Sequence, residues 1–181
     1  MRPSLLASLM ILSLGLPNWA AAMERVPGVE GVFGAGLGYL QARESDFLGE
    51  GERFSDSRVA MKVFIGADYR RVIGVELAYI DFGRASDGDS RLDARGWAPA
   101  ALASLPVTTD LALYGKAGQL FWKTDRRTAD ARGSDDGSDF FYGGGVRYAV
   151  TDHLDLRLEH ERFELRNADL DLTTIKMQAR F

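Results

Sequence analysis

The stretch 140–163 carries two opposite residue alternations around one turn, and a chain that contains it is tied to a two-faced β-hairpin. In the first arm Phe140, Tyr142, Val146, Tyr148 and Val150 share one face, while Phe141, Gly143, Gly145, Arg147 and Ala149 share the other. After Thr151-Asp152-His153, Leu154, Leu156 and Leu158 fall on one face and Asp155, Arg157, Glu159 and Glu161 on the opposite one. The turn phrase itself recurs: Pro106-Val107-Thr108-Thr109-Asp110-Leu111-Ala112-Leu113 echoes Ala149-Val150-Thr151-Asp152-His153-Leu154-Asp155-Leu156. A repeated short hairpin predicts an up-and-down meander of like units.

The rest of the chain keeps the period of two. Val59, Met61, Val63, Ile65 and Ala67 oppose Lys62, Phe64, Gly66 and Asp68; Tyr69-Arg70-Arg71 turns; Ile73, Val75, Leu77 and Tyr79 then oppose Gly74, Glu76 and Ala78. Leu113, Ala117 and Phe121 alternate with Tyr114, Lys116 and Gly118, and Thr173, Ile175, Met177, Ala179 and Phe181 with Thr174, Lys176, Gln178 and Arg180. The segment 96–105 is blurred by alanines and holds Pro99, which sheets tolerate best at an edge or bulge. In 31–41, Phe33, Ala35, Leu37 and Tyr39 face away from Gly34, Gly36 and Gly38. Such a glycine stripe is either a bulged, flexible strand or the lining of a narrow barrel that leaves room for long side chains from opposite strands.

These segments amount to about eight strands of roughly ten residues, a length that suits a tilted membrane-crossing strand. Polar stretches at 44–57, 83–95, 123–139 and 164–169 read as loops, and they alternate with tight turns. That asymmetry predicts long loops outside and short turns in the periplasm. A charge at mid-strand on the non-apolar face then lies in the lumen, so the apolar face meets lipid.

Composition allows this reading. The 181 residues hold no cysteine, carry a net charge of −4 and are 46% hydrophobic. One domain without a disulfide scaffold follows, and mild acidity gives no reason to expect nucleic acid as a partner. Met1-Arg2, an apolar core at 5–16 and Ala20-Ala21-Ala22 have the layout of a secretory signal peptide, with cleavage expected after Ala22 and a barrel domain over 23–181.

The same residues resemble the OmpA-type transmembrane β-barrel family of Gram-negative outer membranes. The resemblance rests on Gly34-Ala35-Gly36-Leu37-Gly38-Tyr39, Gly74-Val75-Glu76-Leu77-Ala78-Tyr79, Leu113-Tyr114-Gly115-Lys116-Ala117-Gly118 with Trp122, Gly144-Gly145-Val146-Arg147-Tyr148, Arg157-Leu158-Glu159 and the terminal Phe181, taken in order. It implies an eight-stranded antiparallel barrel in the outer membrane, all-β, with interior charges at Glu76, Lys116 and Arg157. Where the family usually has an acid after Gly-Gly-Val, this chain has Arg147, for which Glu159 or Asp155 could supply the counter-charge. The resemblance also implies that Phe181 is part of the signal read by the barrel-assembly machinery. Many such proteins append a peptidoglycan-binding domain; this chain ends at the barrel and is not expected to tether the cell wall.

Site expectations follow. Glu76, Lys116, Arg147, Arg157 and Glu159 form a lumen charge network, as a plug of paired charges or, more sharply, as a gate whose rearranged pairs open a water path. Phe33, Tyr69 and Tyr148, with Phe181, form one lipid-interface belt; Tyr39, Tyr79, Trp97 and Tyr142, with Phe121, form the other. Outer-membrane lipids and lipopolysaccharide are the expected partners, with Arg126, Arg127 and Arg132 available to phosphates, and extracellular ligands would meet the loops. A monomer without cofactor or metal is expected, though Asp87/Asp89 and Asp135/Asp136 could hold a divalent cation. No enzyme constellation stands out. His160 on the lipid side has no serine two residues away, which leaves a lipid-modifying enzyme as one alternative and a periplasmic lipocalin-like carrier, with its leucines inward, as another.

Overall fold

The computed structural model describes residues 26–43, 58–87, 90–128, 131–165 and 168–181. The expected signal segment 1–22 and the polar stretch 44–57 lie outside them. Eight antiparallel strands close into a barrel in chain order: β1 (Val29–Arg43), β2 (Arg58–Tyr69), β3 (Ile73–Asp87), β4 (Ser90–Pro106), β5 (Leu111–Thr128), β6 (Ala131–Thr151), β7 (Leu154–Leu165) and β8 (Ala168–Arg180). The seam between first and last strands runs from Val32↔Arg180 to Arg43↔Asp169. At its foot the Phe181 N–H donates to the Gly31 carbonyl at 3.0 Å and the Gly31 N–H to the Phe181 carbonyl at 2.9 Å. Closure matters because it leaves no strand edge with unpaired backbone, the condition for crossing hydrocarbon.

The alternation is inside-out relative to a water-soluble sheet. Leu37, Met61, Val75, Leu158 and Ile175 are 51–61% exposed, whereas Lys62, Lys176, Glu159, Glu161 and Asp155 are at most 1% exposed. Leu154, Leu156 and Leu158 point away from the interior, which removes the lipocalin-like alternative. The glycine stripe on β1 has the barrel explanation: a Cβ on Gly34 would lie 2.5 Å from the Phe64 ring, and one on Gly36 2.5 Å from the Lys176 stem. Their absence lets two long side chains cross the lumen.

The strands run 12–21 residues rather than about ten. Of the stretches read as loops, 83–95 and 123–139 are largely strand: β3 continues to Asp87 opposite β4 from Ser90, and the β5–β6 ladder continues to Thr128↔Ala131. Polarity marks where a ribbon leaves the lipid, but the backbone ladder needs no apolar face and carries on into water. A register shift between Asp81 and Arg84 falls where β3 leaves its apolar run. Likewise 164–169 is mostly strand, since Leu165 pairs with Ala168.

The opposite end of the barrel has tight connections. Val72 N–H donates to the Tyr69 carbonyl at 3.0 Å, and Arg70 and Arg71 both have positive φ, 50° and 59°. That is the type I′ geometry that matches strand twist, built here from arginines instead of the usual Asn-Gly. In the β6–β7 connection Ala149 pairs with Asp155 and Thr151 with Leu154, so Val150 is a bulge and Arg147 lies directly opposite Arg157. Pro99 is in no edge strand, because a barrel has none. It pairs with Leu77 on the β3 side, while the β4–β5 ladder skips from Trp97↔Phe121 to Ala100↔Gly118, so its missing N–H falls in that gap.

Candidate functional site: the closed lumen

The inward positions form three layers. At the end with the tight turns, Arg147 donates to Asp68 at 2.7 Å and to the Arg71 carbonyl at 3.0 Å, Arg180 pairs with Asp155, and Gln178 donates to Asp155 at 3.1 Å. Asp68, not Glu159 or Asp155, is thus the ion partner of Arg147. The sequence reading missed it because β2 and β6 are not neighbours, and facing across a lumen cannot be seen from either strand alone.

The middle layer is a dense ion network. Glu76 takes Lys116 at 2.9 Å and Arg157 at 3.0 Å, one oxygen each. Glu159 is the hub: Lys176 lies at 2.8 Å, Lys62 at 3.1 Å, Arg157 at 3.2 Å and Lys116 at 3.3 Å, and Tyr114 donates its hydroxyl at 2.8 Å. Glu161 takes both Lys62 and Lys116 at 2.7 Å. Of the five network residues expected from sequence, Glu76, Lys116, Arg157 and Glu159 meet here, and Arg147 sits apart in the layer below. Lys62, Lys176 and Glu161 are equal members that were not singled out, although inward parity in each strand was the signal. All of these groups are buried, and in low dielectric a charge must be paired or it is very costly. The arrangement gives each cation a carboxylate and makes Tyr114 a neutral bridge, since Arg157 Nε donates to its hydroxyl at 3.1 Å.

Above the network the lumen is apolar. Ile80, Phe82, Leu120, Phe141, Phe163 and Leu172 are all at most 5% exposed and belong to one cluster. Phe141 and Phe163 stack with centroids 5.1 Å apart, and Phe82 meets Phe163 edge-on at 5.8 Å. The ion and ring layers touch where Lys116 lies 5.4 Å from the Phe141 ring centre, while on the tight-turn side of Lys62 the Phe64 ring centre lies 4.6 Å from Lys176. This lid of rings was not expected from the sequence. Phe141 reads as inward from its strand alone, but its convergence with Phe82 and Phe163 depends on register around the whole barrel.

On the outer surface, Phe33, Tyr69, Tyr148 and Phe181 lie toward the tight-turn end and Tyr39, Trp97, Phe121 and Tyr142 toward the other, each 40–53% exposed; Tyr79 is half-buried against Trp97, centroids 5.1 Å apart. Phe140, 51% exposed, joins the second set beside Tyr142. His160 faces outward as expected. The side chains of Arg126, Arg127, Arg132, Asp87 and Asp135, and all of Asp89, lie outside the described residues.

Residues 30–173 match the OmpA-like transmembrane domain. The chain belongs to that family. It is 27% identical over 133 residues to outer membrane protein A of Escherichia coli O157:H7, covering 71% of this chain and 38% of that one, and 26% identical over 168 residues to the Serratia marcescens protein, covering 83% and 47%. This OmpA-like chain therefore spans less than half the length of these relatives. Solved barrels share its fold: Ail of Yersinia pestis has a TM-score of 0.66 at 13% identity, covering 84% of this chain and 99% of that one, and Neisserial surface protein A has 0.66 at 14%, covering 83% and 97%. The N-terminal barrel of Pseudomonas aeruginosa OprF has 0.60 at 14%, covering 83% and 97%. The protein is an OmpA-like barrel of the outer membrane, a family and fold typically without enzymatic activity.

Proposed function

We propose that this OmpA-like protein is a closed scaffold of the outer membrane that works through its surface and outer hairpins, and that it is not an open pore. The observation that carries this reading is the double closure of the lumen: a saturated ion network and, on the outer-hairpin side, a layer of stacked rings. A salt-bridge rearrangement alone would give water no path, because a narrow apolar constriction stays dry. Planar-bilayer recording on the refolded mature chain is expected to show almost no steady conductance; a well-resolved open level in most insertions would overturn the proposal.

The outer hairpins would then carry the interactions. Arg126, Arg127 and Arg132 lie on the β5–β6 hairpin, with Arg127 and Arg132 paired across it, and a cluster of arginines suits lipopolysaccharide phosphates. Replacing all three by glutamine should lower the lipopolysaccharide retained through purification, and equal retention would remove that partner. The expected reading of Phe181 by the barrel-assembly machinery, and a monomeric state in which every strand is already paired, complete the proposal.

A further inference from the structure

Among the described strands, β1 is the only one that no tight turn holds. The others meet a neighbour across a short connection: β2 and β3 over 70–72, β3 and β4 over 88–89, β4 and β5 over 107–110, β5 and β6 over 129–130, β6 and β7 over 152–153, β7 and β8 over 166–167. In such hairpins the length of the turn fixes the register. β1 instead reaches β2 through 44–57 and meets β8 only at the closing seam.

The outward face of β1 does not supply what the turns leave open. Phe33, Ala35, Leu37 and Tyr39 face lipid, whose tails are as apolar as any partner side chain, and a slip of two residues keeps all four outward. The backbone ladder repeats every two residues, so its hydrogen bonds re-form after such a slip. On these terms alone a glycine-rich strand has a weakly specified register.

The lumen side does tell registers apart. Its positions on β1 run Val32, Gly34, Gly36, Gly38 and Leu40, with Val32 and Leu40 buried at 3% and 6% exposure. Each of the three glycines lies where no Cβ fits. On Gly34 a Cβ would be 2.5 Å from the Phe64 ring and closer still to the Met177 carbonyl oxygen; on Gly36 it would be 2.5 Å from Lys176 Cγ and from the Ile175 carbonyl oxygen; on Gly38 it would be 2.7 Å from Leu172 Cδ1 and 2.9 Å from Thr174 Oγ1. The neighbours therefore leave a slot three alternate positions long, and the glycine run is three long. A slip of two residues one way brings Val32 into the slot; a slip the other way brings Leu40. Leu40 also belongs to the apolar cluster, so leaving its place costs packing as well. We propose that this run, stopped by Val32 and Leu40, is the gauge that sets the register of β1 and with it the register in which the barrel closes. The inference is independent of whether the lumen conducts.

The chain has no cysteine, so introduced disulfides report register without background. Ala35 lies opposite Met177, and Leu37 opposite Ile175. When the mature protein, folded in phospholipid vesicles, is oxidised, the pair Ala35→Cys/Met177→Cys should cross-link at least about tenfold more than Ala35→Cys/Ile175→Cys, because the second needs a side chain forced into filled space. Val32→Gly/Gly38→Leu moves the glycine run to 32, 34 and 36. It should invert that ratio, and on β2 the partner of Ala35→Cys should change from Val63→Cys to Met61→Cys. Gly38→Leu alone blocks the slot in every register and should lower the yield of folded barrel, read by the heat-dependent shift on detergent gels; adding Val32→Gly should restore it. Native cross-linking in the double variant, or a double variant that folds no better than Gly38→Leu, would overturn the proposal. So would an inversion at the seam with Val63→Cys still the partner on β2, since β1 would then not have moved as one strand.

Discussion

Replacing Glu159 by glutamine tests whether the middle layer is held by charge balance or merely by packing. Among the described residues that layer sets four cations, Lys62, Lys116, Lys176 and Arg157, against three carboxylates, Glu76, Glu159 and Glu161. The substitution keeps the volume and one carbonyl acceptor but doubles the cation excess, from one to two. Because Glu159 touches all four cations, none keeps its full set of partners. Removing one partner from a buried ion pair costs about 3–5 kcal/mol, and we expect a loss in that range by urea unfolding in phospholipid vesicles, followed by tryptophan fluorescence and by the heat-dependent shift on detergent gels. Lys176→Met in the same background returns the excess to one and should recover at least half of the loss, since Lys176 lies closest to Glu159 and only 3.6 Å from Glu76. A cost below about 1 kcal/mol, or a double variant less stable than Glu159→Gln alone, would refute the charge-balance argument. Conductance should stay near baseline in both variants, because the ring layer is untouched.

Other perturbations separate the remaining parts. Phe163→Ala removes the ring that joins Phe82 to Phe141; it should cost about 3–5 kcal/mol, and paired with Glu159→Gln it should give brief conductance events that neither single change produces. Arg70→Asn places a residue tolerant of left-handed backbone at a φ of 50°, and unfolding should show a gain of up to about 1 kcal/mol, set against the Arg70 guanidinium lying 5.4 Å from the Tyr69 ring; a net loss would mean that the ring contact outweighs the strain. Deleting Phe181 removes both seam hydrogen bonds to Gly31 and should lower the yield of folded barrel in cells more than it lowers equilibrium stability, which pulse-labelling and vesicle unfolding would distinguish.

Much of this barrel is legible in the chain because parity is a local property. Met61-Lys62-Val63-Phe64 shows which side is which without reference to any other strand, and so do Ile175-Lys176-Met177-Gln178. Tight turns were legible for the same reason, since Tyr69-Arg70-Arg71 stands between two alternations that share an outward face. Outer hairpins are not, because polarity reads as a loop whether or not the backbone ladder continues through it. At 123–128 and 131–139 the ladder persists beyond the apolar run, and backbone hydrogen bonding alone leaves no trace in composition.

Height in the lumen is a different kind of quantity. Lys62 and Glu159 are 97 positions apart and meet at 3.1 Å only because every intervening hairpin fixes its own register. A slip of two residues in any one of them would preserve every inward and outward assignment while moving Lys62 off the network level. The sequence therefore shows that Lys62, Glu76, Lys116, Arg157 and Glu159 share an interior, but not that Arg147 falls one layer lower to Asp68, nor that Phe82, Phe141 and Phe163 rise one layer higher. Those heights come from the sum of strand offsets around the closed sheet, so the separation of an ion layer from a ring layer, on which the closed-scaffold reading stands, belongs to the whole barrel and to no single strand.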